Sequence, residues 1–265
     1  MAINIVVANR KGGSGKTTTS VNIADGLSRK GQRVLLVDAD SQAQATISCG
    51  VLPHSLDMTL YQLMQVAMHE SDSKSAIGSA ILRKVKSFDF IPSRPDLSAI
   101  EIEAAQFPGR ESLLKDILLR LDREYDFIII DLPPSLGLIT INGLVAANKL
   151  LIPVEPSFLS MDGLAQMMSI LYRVNADLNP DLRLLGILPI KCDLRTNLAR
   201  SVVDEIKKNF GPDLLLPAIR NDVKLAEAPS FGKTIFEYAA SCRGAQDYTN
   251  LVKKIYILSG ESNGR

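Results

Sequence analysis

The chain has 265 residues, 46% of them hydrophobic, and this size and composition can bury the core of one large α/β domain. The 30 lysines and arginines against 29 acidic residues exclude a globally basic nucleic-acid-binding protein, but leave room for a local basic patch. Cys49, Cys192 and Cys242 are far apart, which fits reduced thiols rather than a disulfide framework, and the two histidines show no metal-ligand spacing. Without a membrane-length apolar run or a cleavable leader pattern, the sequence predicts a soluble cytoplasmic protein.

A glycine-rich stretch close to the start of the chain predicts a phosphate-binding loop. It follows the apolar run at residues 3–8, which predicts a strand, and it opens a helix predicted over residues 17–30. Glycines let the backbone curl until several N–H groups point at one anion, and a helix N-terminus adds unpaired donors and the positive end of its dipole. The predicted nucleotide-binding residues are Gly12, Gly13, Ser14, Gly15, Lys16, Thr17 and Thr18.

Two side chains in this stretch carry the chemistry of a nucleotide-binding P-loop. Lys16 is predicted to contact the β- and γ-phosphates, and the Thr17 hydroxyl is predicted to ligate Mg²⁺. The stretch departs from the usual Walker pattern because Arg10 replaces the first glycine, and a second lysine, Lys11, precedes the glycine pair. A purely structural glycine turn explains the sequence less well, because the strand, the loop, the Lys-Thr pair and the helix all agree.

Short apolar runs alternate with helical segments along the rest of the chain. The predicted strands are residues 33–38, 88–92, 125–130, 149–154, 184–189 and 214–216, and the predicted helices include residues 111–124, 138–147, 161–178 and 197–210. Continuous apolar runs are typical of parallel strands that are covered on both faces. The alternation predicts a single α/β domain over residues 1–265, with a doubly wound, mostly parallel sheet, helices on both faces and ligands at the carboxyl ends of the strands.

A less regular insert, residues 52–86, interrupts this alternation. We expect a helix around residues 59–68 and an exposed loop at residues 71–75. The insert also carries Met58, Met64 and Met68. These methionines could form a partner-binding surface, but ordinary packing by flexible side chains is the preferred interpretation.

Acidic residues follow two of the predicted strands, where a P-loop fold places its metal and water chemistry. Asp38 and Asp40 come after the second strand, and Asp131 ends an apolar strand in the manner of a Walker B segment. Hard oxygen ligands suit Mg²⁺, so we expect Thr17, Asp38 and Asp131 to hold it beside the phosphates. The alternative, in which each aspartate caps a helix or a turn, competes seriously only for Asp38, and the presence of Asp40 weighs against it.

At this point the sequence resembles a known family. Lys-Gly-Gly-x-Gly-Lys-Thr-Thr is similar to the deviant Walker A motif of the SIMIBI P-loop ATPases, and the strongest likeness is to the ParA/Soj partition ATPases. The matching segments are residues 8–19, 34–40, 131–135, 141–142, 195–198 and 225–233. The resemblance implies an ATPase with weak basal activity that forms an ATP-dependent sandwich homodimer. It implies that Lys11 reaches the partner's nucleotide, that Asp40 positions the attacking water, and that Pro217 contacts the nucleotide.

The loop after Asp40 departs from the family pattern. Ser41, Ala43 and Gln44 stand where the family usually has proline, glycine and asparagine. We expect these departures to affect the conformation of this switch loop and the hydrolysis rate more than the chemistry, because both aspartates and Gln42 remain.

The resemblance also implies non-specific binding to double-stranded DNA and a ParB-like partner protein, as in a nucleoid-associated protein that segregates a chromosome or a plasmid. The candidate DNA-binding residues are Arg195, Arg220 and Lys224, with Lys233 and Lys253 as possible neighbours. Phosphate contacts from a basic patch across a dimer suffice for such binding, although scattered cations can equally serve to solvate the surface. No helix-turn-helix module precedes the loop, so we do not expect sequence-specific operator binding.

Two other classes of protein share the loop. A MinD-like ATPase grips lipid with a C-terminal amphipathic helix, and residues 248–258 could be read that way. However, this segment runs into a polar tail and its apolar residues suit packing on the sheet, so no membrane binding is expected. The cysteines do not match the cluster-binding contexts of the nitrogenase iron protein. A ParA-like positioner of a protein cargo stays open as an alternative.

Overall fold

The computed structural model describes residues 2–69, 74–83, 86–157 and 160–262. Its centre is a six-stranded parallel sheet with strand order β3-β2-β4-β1-β5-β6. The strands are β1 (Ile3–Val7), β2 (Val34–Asp38), β3 (Asp89–Ile91), β4 (Phe127–Asp131), β5 (Lys149–Val154) and β6 (Arg183–Pro189). The carboxyl ends of β1, β2 and β4 meet at the middle of one edge, where open α/β sheets bind ligands.

Helices cover both faces of this sheet. They are α1 (Lys16–Ser28), α2 (Gln44–Ser48), α3 (Leu60–His69), α4 (Lys74–Ala80), α5 (Ile100–Glu103), α6 (Leu113–Leu119), α7 (Leu138–Ala146), α8 (Ser160–Asp177), α9 (Asn197–Phe210), α10 (Val223–Glu227), α11 (Ile235–Tyr238) and α12 (Arg243–Ser262). Successive strand residues point to opposite faces, so Val6 packs in one core while Ile5 and Val7 pack in the other. Two cores flank the sheet, and the predicted doubly wound fold is confirmed.

One predicted strand is wrong. Residues 214–216 form the end of a 3-10 helix, Pro212–Leu214, and then a single bridge between Leu215 and Ile187. Pro212 and Pro217 flank this apolar run, and proline has no N–H to donate to a sheet ladder. The helix predicted over residues 111–124 is also shorter than expected, since α6 spans Leu113–Leu119.

The insert packs against the main core. The helix expected around residues 59–68 is α3, in which Met64 is buried, while Met58 and Met68 are half-buried against the same core. The packing interpretation of the three methionines is therefore confirmed. The loop expected at residues 71–75 lies mostly outside the described residues, and α4 already begins at Lys74.

The last helix, α12, buries its apolar side against α1. Tyr248, Leu251 and Ile255 are buried, and the Tyr248 hydroxyl lies 3.2 Å from Oγ1 of Thr19. A β-carbon at Gly26 of α1 would lie 2.6 Å from Cγ2 of Val252, so the glycine permits the close approach. We expected the apolar residues of this helix to pack on the sheet; they are buried as expected, but they pack against α1 in the core on that face of the sheet. Within the described ranges, no helix combines the length and apolar character needed to cross a membrane.

Shortening a buried side chain of α12 tests this packing. We expect Leu251→Ala to lower the free energy of unfolding by about 2–4 kcal/mol, because it removes buried methyl groups and leaves a cavity. Ile257→Ala on the same helix is the control, because that side chain is exposed and its loss should cost less than about 0.5 kcal/mol. Urea unfolding of both variants gives the comparison, and equal losses would show that the buried face is misassigned.

Candidate nucleotide-binding site

The glycine-rich loop joins β1 to α1 in a conformation that only some residues allow. Gly13 and Gly15 have φ angles of +70° and +67°, in the left-handed region that favours glycine. A β-carbon at Gly15 would also lie 2.8 Å from Cδ1 of Ile190. Around Gly12, in contrast, none of the described heavy atoms lies within 4 Å of such a β-carbon. The backbone conformation and the contact with Ile190 thus require glycine at position 15, whereas Gly12 faces open space.

The loop has a buried hydroxyl that lacks a partner. Ser14 is 1% exposed, and its Oγ makes no hydrogen bond to any described residue. Such groups are rare in folded proteins and normally find a partner in a ligand or water. Together with the curled backbone, the Ser14 hydroxyl fits the oxygen atoms of a phosphate group.

Asp131 connects this loop to the end of β4. Its Oδ2 accepts a hydrogen bond from the Thr17 hydroxyl at 2.7 Å, and its Oδ1 accepts one from the Ser20 hydroxyl at 2.8 Å. Lys16 is nearly buried, and its Nζ donates a long bond of 3.5 Å to the Lys11 carbonyl oxygen. Burial lowers the pKa of Lys16, while the charges of Asp131 and Asp40 oppose that shift. The structure therefore brings the predicted residues Lys16, Thr17, Asp40 and Asp131 together.

Two buried carboxylates stand side by side at the strand ends. Asp38 and Asp131 are paired in the register of β2 and β4, and both are fully buried. Burial, with repulsion from Asp131, raises the pKa of Asp38 to about 7. Burial also raises the pKa of Asp131 to about 6, although the Thr17 and Ser20 hydroxyls and Lys16 oppose it. Concentrated negative charge beside a hydroxyl oxygen fits a hard divalent cation.

Asp38 organises the loop that follows β2. Its Oδ2 accepts hydrogen bonds from the Thr46 amide at 2.8 Å and the Thr46 hydroxyl at 2.7 Å, and its Oδ1 accepts one from the Asp40 amide at 3.1 Å. The Thr46 hydroxyl in turn accepts a bond from the Ser93 amide beyond β3, at 2.9 Å. These contacts give Asp38 an anchoring role in the loop, and its role as a Mg²⁺ ligand stays a prediction.

The switch loop itself is tightly turned. Oδ1 of Asp40 accepts the Gln42 amide at 2.9 Å, and the Asp40 carbonyl accepts the Ala43 amide at 2.9 Å. Ala43 has a φ of +52°, a conformation that costs a residue with a side chain about 1–2 kcal/mol. The position that usually holds glycine in the resembled family therefore keeps a glycine-like conformation here.

Among the described residues no group of three His, Cys, Asp or Glu side chains could hold a metal alone, and Mg²⁺ is commonly bound with phosphates and water.

A cavity of 130 Å³ opens beside the loop. It is lined by Gly15 and Thr18 of the loop, by Ile190, and by residues that include Asn221, Leu225 and Tyr248. Mixed apolar and polar walls of this kind are typical of ligand pockets. Pro217 lines a separate cavity of 370 Å³ with Leu194 and Val203, so the structure does not bring it to the glycine-rich loop, and its nucleotide contact stays a prediction.

A larger basic concavity of 870 Å³ lies next to the 130 Å³ cavity beside the glycine-rich loop. Its cationic lining residues are Lys191, Arg195, Arg220 and Arg243. The predicted residues Arg195 and Arg220 are thus brought together, and Lys224 stands close by in α10. Each carries a carboxylate partner: Asp193 at 2.7 Å from Arg195, Asp247 at 2.8 Å from Arg220 and Glu227 at 2.8 Å from Lys224. The lining does not include Lys233 or Lys253.

Sequence reasoning missed several residues of these sites. Ser20 stands four positions after Lys16, so helical spacing from the loop could have identified it. Thr46, Ser93, Lys191 and Arg243 gave no comparable local signal, because the fold alone brings them to the site.

Removing the Thr46 hydroxyl tests the anchoring role of Asp38. We expect Thr46→Val to lower the free energy of unfolding by about 1–3 kcal/mol, because a buried carboxylate and the Ser93 amide both lose a partner. Thr46→Ser keeps the hydroxyl and should lose less. The measurement is urea unfolding without nucleotide at pH 8, above the raised pKa of Asp38 of about 7. Unchanged stability in the valine variant would contradict the anchor.

Comparison with known proteins identifies the family. A family model described as an AAA domain matches residues 2–184. The chain is 39% identical to the sporulation initiation inhibitor protein Soj of Bacillus subtilis, over 95% of this chain and 97% of that protein. It is 35% identical to the chromosome partitioning protein ParA of Caulobacter vibrioides, over 95% of this chain and 92% of that protein. A solved structure of cobyrinic acid a,c-diamide synthase from Mycobacterium smegmatis, with an ATP analogue and magnesium, is 32% identical with a TM-score of 0.83, covering 100% of this chain and 98% of that chain. The chain with this glycine-rich loop and these strand-end carboxylates therefore belongs to the ParA/Soj family of P-loop partition ATPases.

Proposed function

We propose that this protein is a DNA-partition ATPase that binds ATP and Mg²⁺, forms a nucleotide-dependent homodimer, binds double-stranded DNA without sequence preference and hydrolyses ATP. The observation that carries the proposal is the meeting of the glycine-rich loop with Asp131 through the Thr17 hydroxyl. This contact places a hydroxyl and a carboxylate oxygen directly beside a phosphate-binding backbone. The likeness to partition proteins supports the biological role.

The residues of the loop divide the work of holding the nucleotide. Backbone amides of residues 12–18 bind the phosphates, and the cavity beside Thr18 takes the base. Lys16, whose ammonium makes only a long bond to the Lys11 carbonyl, has donors left for the β- and γ-phosphates. Thr17 and Asp131 hold Mg²⁺, with Asp38 behind them in the loop after β2. When bound, Mg²⁺ neutralises charge on the phosphate oxygens.

Hydrolysis depends on positioning and on charge. Asp40 is nearly buried at the mouth of the site, with its Oδ1 fixed by the Gln42 amide, and it orients the attacking water. Lys11 is exposed next to Gly12, on a face of the loop that is open in this chain. A second copy can approach there and receive the Lys11 ammonium at its nucleotide. Hydrolysis is then conditional on dimerisation, and basal turnover is weak.

The basic concavity is the proposed DNA surface. Arg195 is 90% exposed and its pair with Asp193 is on the surface, so exchanging the carboxylate for a DNA phosphate costs little. Arg220 differs, because it forks onto Asp247, which is 8% exposed, and breaking that pair would leave a buried charge. Arg195 and Lys224 are therefore the exchangeable contacts, and Arg220 holds the surface in shape.

Partner and cargo follow from the proposed role. We propose a ParB-like protein as the stimulating partner and a nucleoid-associated location in the cytoplasm, with chromosomal or plasmid DNA as cargo. The membrane-cycling alternative is less well supported, because α12 turns Tyr248, Leu251 and Ile255 into the protein. A protein cargo is the remaining alternative within the same family.

Replacing Asp40 separates binding from hydrolysis. We expect Asp40→Ala to bind ATP, to lose turnover by about 10²- to 10⁴-fold, the usual contribution of a side chain that acts on the attacking water, and to accumulate the dimer. Turnover assays and size-exclusion chromatography with ATP give both readouts. Gly12→Val is the companion variant: its side chain fits the free chain but crowds a facing copy, so ATP binding should persist without a dimer. Wild-type turnover in the Asp40 variant would remove this residue from the mechanism.

The DNA surface is tested by removing its two exchangeable cations. We expect Arg195→Ala with Lys224→Ala to weaken binding to every duplex alike and to reduce the log–log salt slope by about one unit per lost phosphate contact. ATP-dependent dimerisation should remain. Binding to a non-specific duplex with ATP or ADP across a salt series is the measurement.

The matched control for this test is Lys30→Ala with Arg123→Ala, two exposed cations at the opposite, amino-terminal edge of the sheet. This pair should bind DNA like the unmodified protein. Equal losses in both double variants, or equal affinity with ATP and ADP, would reject the concavity as the DNA surface.

A further inference from the structure

Three side chains hold the outer arm of the glycine-rich loop, residues 11–13. Oδ1 of Asn9 accepts the Lys11 amide at 3.0 Å, Nζ of Lys16 donates to the Lys11 carbonyl at 3.5 Å, and Nζ of Lys191 donates to the Gly13 carbonyl at 3.0 Å. The Lys16 contact is the longest of the three, beyond the usual range for this bond. The arm is therefore held chiefly at its two ends, by Asn9 and Lys191.

Lys191 lies in a backbone conformation that indicates a specific demand at this position. It follows β6 with a φ of +48°, in the left-handed region that side-chain-bearing residues seldom adopt. Residues persist there when the surrounding structure fixes them, commonly at functional sites. Here the backbone on either side is fixed, because the Ile190 amide donates to the Val154 carbonyl at 2.9 Å and the Cys192 amide donates to the Ile219 carbonyl at 3.0 Å. The Lys191 ammonium thereby lies within reach of the Gly13 carbonyl and 3.2 Å from Oε2 of Glu155.

Nucleotide binding changes the balance of these three contacts. The Lys16 ammonium has three N–H donors, so it can contact the phosphates while it shares, at most, its long bond to the Lys11 carbonyl. The shorter bonds from Asn9 and Lys191 are therefore the main supports of the arm in the nucleotide-bound state. The preceding residue, Ile190, packs against Gly15, so the same segment supports the loop at two points.

We propose that Lys191, oriented by Glu155, is a positioning residue that clamps the Gly13 carbonyl and so sets the direction in which Lys11 leaves the loop. This inference rests on the proposed function, in which Lys11 reaches the nucleotide of a second copy. Lys191 needs no contact with the nucleotide for this role. It acts by holding residues 11–13, so its loss should alter the step of ATP hydrolysis to which Lys11 contributes.

Three variants isolate the ammonium from the rest of the side chain. Lys191→Met keeps the length of the side chain and makes the same backbone demand, but has no donor. Lys191→Arg restores a donor. Lys207→Met is the matched control, because Lys207 is 48% exposed against 50% for Lys191, pairs with Asp204 at 3.5 Å, and lies on α9 away from the loop.

Hydrogen–deuterium exchange tests the hydrogen bond from Lys191 to the Gly13 carbonyl in protein that has not formed a dimer. In protein saturated with Mg-ADP, we expect amides of residues 11–14 to exchange about fivefold faster in Lys191→Met, the order of change for one lost charge-assisted hydrogen bond at a half-exposed site. Lys191→Arg should restore slow exchange and Lys207→Met should not alter it. Unchanged exchange in Lys191→Met would overturn the proposal.

Turnover then tests whether the clamp acts through Lys11. We expect Lys191→Met to lower kcat about fivefold with an unchanged KM for ATP, and the double variant with Lys11→Ala to be no slower than Lys11→Ala alone. Multiplicative losses in the double variant would overturn the proposal. If Lys11→Ala itself turns over ATP normally, the proposed role of Lys11 fails, and with it the role of Lys191 in directing Lys11, whatever the exchange result.

Discussion

The structure depends on how negative charge is held where β2 and β4 end. Asp38 and Asp131 stand at paired positions and both are fully buried. Moving a carboxylate out of water costs free energy unless hydrogen-bond donors or cations replace its hydration. Two helices supply the donors, Thr17 and Ser20 from α1 for Asp131, and Thr46 from α2 for Asp38. The placement of both helices, and of the loop before α1, is thereby tied to the charge in this site.

The same network explains how the switch loop keeps a residue that its conformation disfavours. Ala43 occupies the left-handed region, yet the Asp40 carbonyl accepts its amide and Asp38 anchors Thr46 one turn later. A strained conformation persists when its neighbours over-determine it. The departure from glycine at this position is therefore absorbed by hydrogen bonds on either side, and the loop still carries Asp40 to the mouth of the site.

The sheet and the loop could be predicted from the sequence because both rest on local patterns, namely continuous apolar runs and the spacing of glycines before Lys16. The false strand at residues 214–216 shows the limit of that reasoning, since this apolar run between two prolines keeps only a single bridge to β6. The contacts that complete the site are not local. Ser20 and Asp131 are 111 positions apart, and Gly13 and Lys191 are 178 positions apart. Sequence patterns identify each residue's element but not these pairs.

The internal ion pairs of the basic concavity bear on how ATP could control DNA binding. Arg195 and Lys224 each have a surface carboxylate partner, which DNA must displace, so one copy of the concavity offers only weak phosphate contacts. A patch that bound DNA tightly by itself would hold it in every nucleotide state. Two weak patches in one dimer engage the same duplex, and the second binds at the high effective concentration set by the first. On the proposed function, the pairs that weaken each patch are therefore what makes DNA binding depend on the ATP-bound dimer.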